Sequence, residues 1–172
     1  MKESRVLDIF SNIVETNQIE MLGFTTVRFD KRRDLLDTIF SLRVVSLQGT
    51  GLELSHLLKN IARSHVQSAD LSGSKCRKLI DPTMKLNSNL NRLILNHISY
   101  TAESLASIIN IANNHAQLLI LSFGFAKLTE QQWSDFFCKK LTLKNINVLI
   151  WTDNPLSQSF VKLISKSQIK YL

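Results

Sequence analysis

The residues of this chain best suited to acid–base, nucleophilic or metal chemistry are four histidines, His56, His65, His97 and His115, and two cysteines, Cys76 and Cys138. A base and nucleophile pair, or a set of metal ligands, needs such side chains at characteristic spacings. The chain has no CxxC, no Cys and His at ligand spacing, and no phosphate-cradling, nucleophile-elbow, zinc-protease or calcium-loop phrase. Cys138 lies in WSDFFCKKL beside Lys139, a cation that favours the thiolate, but the sequence places no base or oxyanion site near it. A packed helical thiol is expected there, and Cys76 is expected in the core. The chain is expected to be no enzyme and to take no metal or cofactor.

Lys and Arg number 21 against 14 Asp and Glu, a net charge of +7 that attracts acidic partners at long range. The basic clusters, Arg28 with Lys31, Arg32 and Arg33, Lys75 with Arg77 and Lys78, and Lys139 with Lys140 and Lys144, are separated along the chain. Binding to nucleic acid needs a joined basic stripe with stacking aromatics, so that partner is not expected. With 44% hydrophobic residues and only 5 Gly and 2 Pro, the chain can bury a continuous core. Glu3, Asp8 and Glu15 interrupt the first apolar pattern, where an export signal needs an unbroken stretch, and no apolar run reaches bilayer length. The expected location is intracellular and cytoplasmic, with no membrane span.

What must position His97 and its neighbours is a repeat. The phrase L-x-x-L-x-L returns at Ile19/Leu22/Phe24, Leu42/Val45/Leu47, Val66/Ala69/Leu71, Leu90/Leu93/Leu95, Ala116/Leu119/Leu121 and Ile146/Leu149/Trp151, and is truncated at Ile169/Leu172. An apolar residue follows ten places after each start, at Phe29, Leu52, Cys76, Tyr100, Ala126 and Leu156. In each phrase the central residues alternate sides, so places four and six point inward and places three, five and seven outward. One short strand cannot bury its inner face alone, whereas parallel stacking at about 4.8 Å makes a continuous core.

The intervals supply the crossovers that parallel strands need. Leu54, Leu57, Leu58 and Ile61 recur at helical spacing, as do Leu105, Ile108, Ile109 and Ala112 after Thr101. Leu35, Leu36 and Phe40, and Phe160, Val161 and Ile164, give helices in the first and last intervals. Thr129 and Gln132 match a capping box ahead of Trp133, Phe136 and Phe137. Asp81-Pro82 interrupts the third interval and predicts a short or irregular helix there. Residues 1–18 predict a cap helix over the first strand, followed by an array of about six full repeats and a truncated one over 19–172.

The extended phrase L-x-x-L-x-L-x-x-N-x-L resembles the leucine-rich repeat family, and its spacing with helical intervals resembles the ribonuclease-inhibitor-like class. The ninth place departs from the family's Asn or Cys, reading Val27, Thr50, Ser74, Ile98, Gly124 and, once, Asn154. The resemblance implies an α/β fold, a right-handed leucine-rich-repeat solenoid with a parallel sheet on the concave face and helices on the convex face. It also implies a module that binds a protein partner through the concave sheet. The Ile, Asn and Lys enrichment and single compact module look like the leucine-rich-repeat effectors of intracellular bacteria, which act in a host cell.

On this register the outward third column reads Met21, Val44, Ser68, Arg92, Leu118, Val148, and the fifth reads Gly23, Ser46, Asp70, Ile94, Ile120, Ile150. With Phe123 from the eighth column, Ile94, Leu118, Ile120, Phe123, Val148 and Ile150 form an expected apolar patch on a face that otherwise meets water. Arg43, Gln48, Asp70, Arg92, Asn96, His97 and Asp153 form an expected polar surround. These residues are the candidate partner-binding site. Two alternatives stand beside it: a GTPase-activating or other regulatory activity, which some ribonuclease-inhibitor-like arrays carry, and assembly through the C-terminal edge strand at Ile169 to Leu172. His65 and His115 both precede a phrase start on this register, which predicts a shared structural niche where a helix returns to the sheet.

Overall fold

The computed structural model describes Asn12, residues 20–25, 34–126, Thr129, Leu143, residues 145–154, Leu156 and residues 158–172. Asn12 is helical, but the rest of the expected cap helix, the capping-box helix with Cys138, and the basic clusters around Arg28 and Lys139 lie outside the described residues.

The described elements, in chain order, are β1 (Met21–Thr25), α1 (Asp34–Phe40), β2 (Val44–Gln48), α2 (Leu54–Ala62), β3 (Ser68–Asp70), β4 (Arg92–Ile94), α3 (Ala102–Asn113), β5 (Ile120–Ser122), β6 (Val148–Ile150) and α4 (Gln158–Ser165). The strands form one six-stranded parallel sheet whose order is the chain order. Expected strand positions and observed register agree in the first four units, where Leu22 pairs with Val45, Val45 with Ala69 and Ala69 with Leu93. The inward residues Val45, Leu47, Ala69, Leu71, Leu93 and Leu95 are buried with Leu54, Leu57, Leu58 and Ile61 of α2 and Leu105, Ile108 and Ile109 of α3. The described helices therefore cover one face of the sheet and leave the other without a described helix on it.

Local chemistry sets the crossovers. The Thr101 side chain accepts the Ser104 N–H at the start of α3, satisfying one of the donors a helix leaves free. Between β3 and β4 there is no helix. Pro82 cannot continue one, and Asp81 instead takes the Thr83 N–H and hydroxyl at 2.9 and 2.7 Å in a tight turn. Those two hydrogen bonds, side chain first, hold the Asp81 carboxyl below its usual range. The segment still fills the core with Cys76, Ile80 and Leu86. The carboxylate of Glu53 ties it to α2 by accepting the Arg77 and Lys78 N–H groups at 2.8 and 2.9 Å.

The fifth unit departs from the expected register by two residues. Leu93 pairs with Leu121 and Ile94 with Ser122, so the phrase runs Leu118/Leu121/Phe123 and not Ala116/Leu119/Leu121. Leu118 is fully buried and Phe123 nearly so, whereas Leu119 is 42% exposed. The physical reason is volume: the inward slot beside Leu95 takes the Phe123 ring, which packs edge-on against Tyr100 and Trp151. Leu118 and Phe123 thus leave the expected surface patch and join the core.

A left-handed backbone position recurs at place eight. Gly49 and Gly73 occupy it in the second and third units, and His97, Phe125 and Asp153 occupy it with φ of 56°, 53° and 53° in the next three. Each N–H there reaches one unit on: Gly49 to Ser72 O, Gly73 to Asn96 O, His97 to Gly124 O and Phe125 to Thr152 O, at 2.8 to 2.9 Å. This ladder satisfies backbone groups beyond the sheet and fixes how the chain leaves it.

Candidate functional site

The sheet face that no described helix covers carries the outward residues in columns. With the fifth unit in its observed register, the third column reads Met21, Val44, Ser68, Arg92, Ile120, Val148, and the fifth reads Gly23, Ser46, Asp70, Ile94, Ser122, Ile150. Ile94, Ile120, Val148 and Ile150 remain together and are each partly exposed, around Ser122, which is buried. Ile120 moves from the fifth column to the third. The apolar patch is smaller than expected because Leu118 and Phe123 are core residues.

Polar side chains border the patch toward the first units. Gln48 donates to Asp70 Oδ2 at 2.6 Å, and Asp70 Oδ1 accepts both the N–H and the hydroxyl of Ser72. The Ser72 hydroxyl oxygen accepts the Asn96 N–H, and Asn96 Oδ1 accepts from the Ser122 hydroxyl and the Gly124 N–H at 2.7 and 2.6 Å. Gln48, Asp70, Ser72, Asn96 and Ser122 therefore form one chain of hydrogen bonds across four strands, which holds the exit edge of the face rigid. Arg92 stands exposed at the centre of the face, with no salt bridge among the described residues.

The remaining candidates lie at the edges. Arg43 sits at the strand entry, held between Glu20 and Gln67 at 3.2 and 3.1 Å, away from the patch. His97 and Asp153 sit at the exit edge, in the left-handed column. Between them, Phe125 is 39% exposed and stacks on His97 with ring centroids 4.3 Å apart and planes 12° from parallel. Phe125 was not among the expected site residues. Nothing in the sequence singled it out: the place-eight column that Gly49 and Gly73 open passes through Phe123 in the expected register and reaches Phe125 only in the observed one.

The other titratable groups do not gather at this face. His56 and His65 are exposed, and His115 is buried, so the expected shared niche of His65 and His115 does not form. In the observed register His115 stands three places before its phrase, as Asn87 does. Its Nε2 donates to Asn87 O at 2.7 Å, while Nδ1 has no partner. His115 lines a cleft of about 530 Å³ with Met84, Leu86, Ile111 and Gln117. The Cys76 thiol is pushed up by burial, which keeps it protonated and unreactive. Among the described residues no three His, Cys, Asp or Glu side chains are grouped as a metal site requires, and no helix is long and apolar enough to cross a membrane. No family model matches the chain, and no curated protein does.

Proposed function

We propose that the chain is a leucine-rich-repeat solenoid of the ribonuclease-inhibitor-like class that acts as a non-catalytic recognition module, binding a protein through its uncovered, concave sheet face. The observation that carries this reading is the cluster of Ile94, Ile120, Val148 and Ile150 on a face that no described helix covers, with Arg92 exposed beside it. Apolar groups with a polar surround are what a partner's contact segment can desolvate, and the surround sets which partner fits. Arg92 and the net charge of +7 favour a segment that brings a carboxylate beside its apolar residues. A role as a bacterial effector acting in a host cell goes with this reading and rests on the Ile, Asn and Lys enrichment of the chain.

The test is capture of partners from host-cell lysate by the wild-type chain and by the double variant Ile120→Asp, Ile150→Asp. Both side chains are only partly buried, so the variant is expected to unfold cooperatively like the wild type yet to lose the captured protein. Equal capture by the folded variant overturns the reading.

Self-association is a second reading, favoured by the segment at Ile169 to Leu172, where the expected edge strand is reduced to one isolated bridge beside β6. Tyr171 makes a single parallel bridge to Val148, and Leu156, Tyr171 and Leu172 stand 71%, 68% and 69% exposed. Light scattering after size-exclusion chromatography separates the two readings. A dimer abolished by Ile169→Pro supports assembly through this edge, and a concentration-independent monomer removes it.

A further inference from the structure

The geometry points to a stacking slot on the free face of the His97 imidazole, over Gly73, that takes an aromatic side chain of the bound partner. His97 and Phe125 hold the same place in neighbouring units, so their 4.3 Å stack runs along the array. The opposite face of the imidazole therefore looks back toward the preceding unit, where that place is Gly73 and, one unit earlier, Gly49. A Cβ built on Gly73 would have only the Gly49 backbone N and Cα within 4 Å, at 3.1 Å, and no side chain of another unit. The Lys75 side chain runs over Gly51 instead. His97 is exposed, and among the described residues its only ring neighbour is Phe125.

The spacing suits a third ring. Parallel strands repeat at about 4.8 Å, which lies in the range of centroid separations that offset-stacked aromatics prefer. A ring entering over Gly73 would extend the His97 and Phe125 stack by one member. With glycine at this place in two successive units, the column itself puts no side chain against that face of His97. Gln48, whose Nε2 is committed to Asp70 of the third unit, keeps an amide oxygen that can accept from a phenol O–H or an indole N–H. Tyrosine and tryptophan carry such a donor, and a guanidinium would approach a chain of net charge +7.

This site deepens the reading of the sheet face as a partner-binding surface and rests on it for the source of the ring. Its test uses N-acetyl-L-tyrosinamide, followed through the backbone amide resonances of residues 73 and 97. The wild-type chain is expected to show saturable shifts at both. N-acetyl-L-cyclohexylalaninamide and N-acetyl-L-argininamide are expected to bind at least about tenfold more weakly. His97→Gly removes the ring while relieving the left-handed backbone, and is expected to lower affinity for the probe by about tenfold in a folded protein. His97→Phe is expected to keep it. Absence of saturable shifts in the wild type, equal binding of the saturated or arginine probe, or unchanged binding to His97→Gly overturns the slot. Ile120→Asp separates the two claims: it is expected to leave the probe bound while partner capture is lost, so the sheet-face reading can fail with the slot intact.

Discussion

Asn154 reaches back one unit to accept the Ala126 backbone N–H at 2.9 Å on its side-chain oxygen. Its amide nitrogen donates to Phe123 O, so one side chain serves a donor and an acceptor of the turn before it. Ala126 and Phe123 are both buried. Replacing Asn154 by Ala leaves these groups without partners, at about 1–3 kcal/mol for each unsatisfied group. The expected result for Asn154→Ala is a lower urea midpoint with an unchanged denaturant slope, read by circular dichroism. Thr50 and Ser74, at the equivalent place, bond only to the carbonyls of Leu47 and Leu71 in their own units. Thr50→Ala is accordingly expected to cost less than Asn154→Ala, and equal costs would contradict the cross-unit role.

The register of the fifth unit predicts a sharp contrast between two neighbouring apolar residues. Phe123 is buried against Tyr100 and Trp151, while Leu119 is 42% exposed ahead of β5. Phe123→Ala is expected to cost about 3–5 kcal/mol and Leu119→Ala well under about 1.5 kcal/mol. Thermal or urea unfolding of the two variants checks this. A reversed order would restore the phrase beginning at Ala116.

The sequence showed most of the scaffold because inward Leu, Ile and Val at places four and six are a collective requirement: each unit must bury the same two side chains against its neighbours. That requirement left the first four strands in register and made the helical intervals at Leu54 and Leu105 readable. It failed at Leu118, Leu119, Leu121 and Phe123, where a dense apolar run satisfies the phrase at two registers that differ by an even step and so keep the same alternation. Only the volume of the slot beside Leu95 distinguishes them. The site was legible where it depends on alternation, as at Arg92, Ile94 and Ile150, and illegible where it depends on backbone handedness. His97, Phe125 and Asp153 give no glycine to mark their positive φ, and a ring stack between units emerges only once the units are aligned.

The buried phenol of Tyr100 gives a stability that depends on pH at the alkaline end. Its hydroxyl donates to Leu95 O at 2.8 Å, and burial, with a smaller contribution from the Cys76 charge, raises its pKa well above the usual value. In the unfolded chain the group ionises near its ordinary value of about 10. Below that value both states are neutral and the stabilisation is fully present. As pH rises toward the folded pKa, only the unfolded state ionises, so stability falls. In a Tyr171→Phe background, tyrosinate absorbance is expected to appear together with loss of the helical signal. Tyrosinate formed while the protein remains folded would show that the phenol is reachable by water. Tyr100→Phe removes this alkaline limit but leaves the Leu95 carbonyl without its donor, at a cost of about 1–3 kcal/mol at neutral pH.

The two glycines Gly23 and Gly73 separate the requirement for a left-handed backbone from the mere absence of a side chain. Gly73 has φ of 72°, and a Cβ there would meet the Gly49 backbone at 3.1 Å, closer than side chains normally approach. Ala adds both the left-handed penalty of roughly 1–2 kcal/mol and a contact that only backbone movement relieves. Gly23 lies in β1 with no positive φ, and its Cβ would meet Ser46 Cβ at an ordinary 3.6 Å. Gly23→Ala is expected to be neutral or to stabilise by about 0.4–1 kcal/mol, because the unfolded chain loses freedom that the strand does not use. Gly73→Ala is expected to lower the unfolding midpoint, and Asp153→Gly, which relieves the same backbone two units beyond His97, to raise it. Equal effects of Gly23→Ala and Gly73→Ala on the urea midpoint would show that the exit column carries no conformational constraint, and the hydrogen bond from the Gly73 N–H to Asn96 O would then have to form without it.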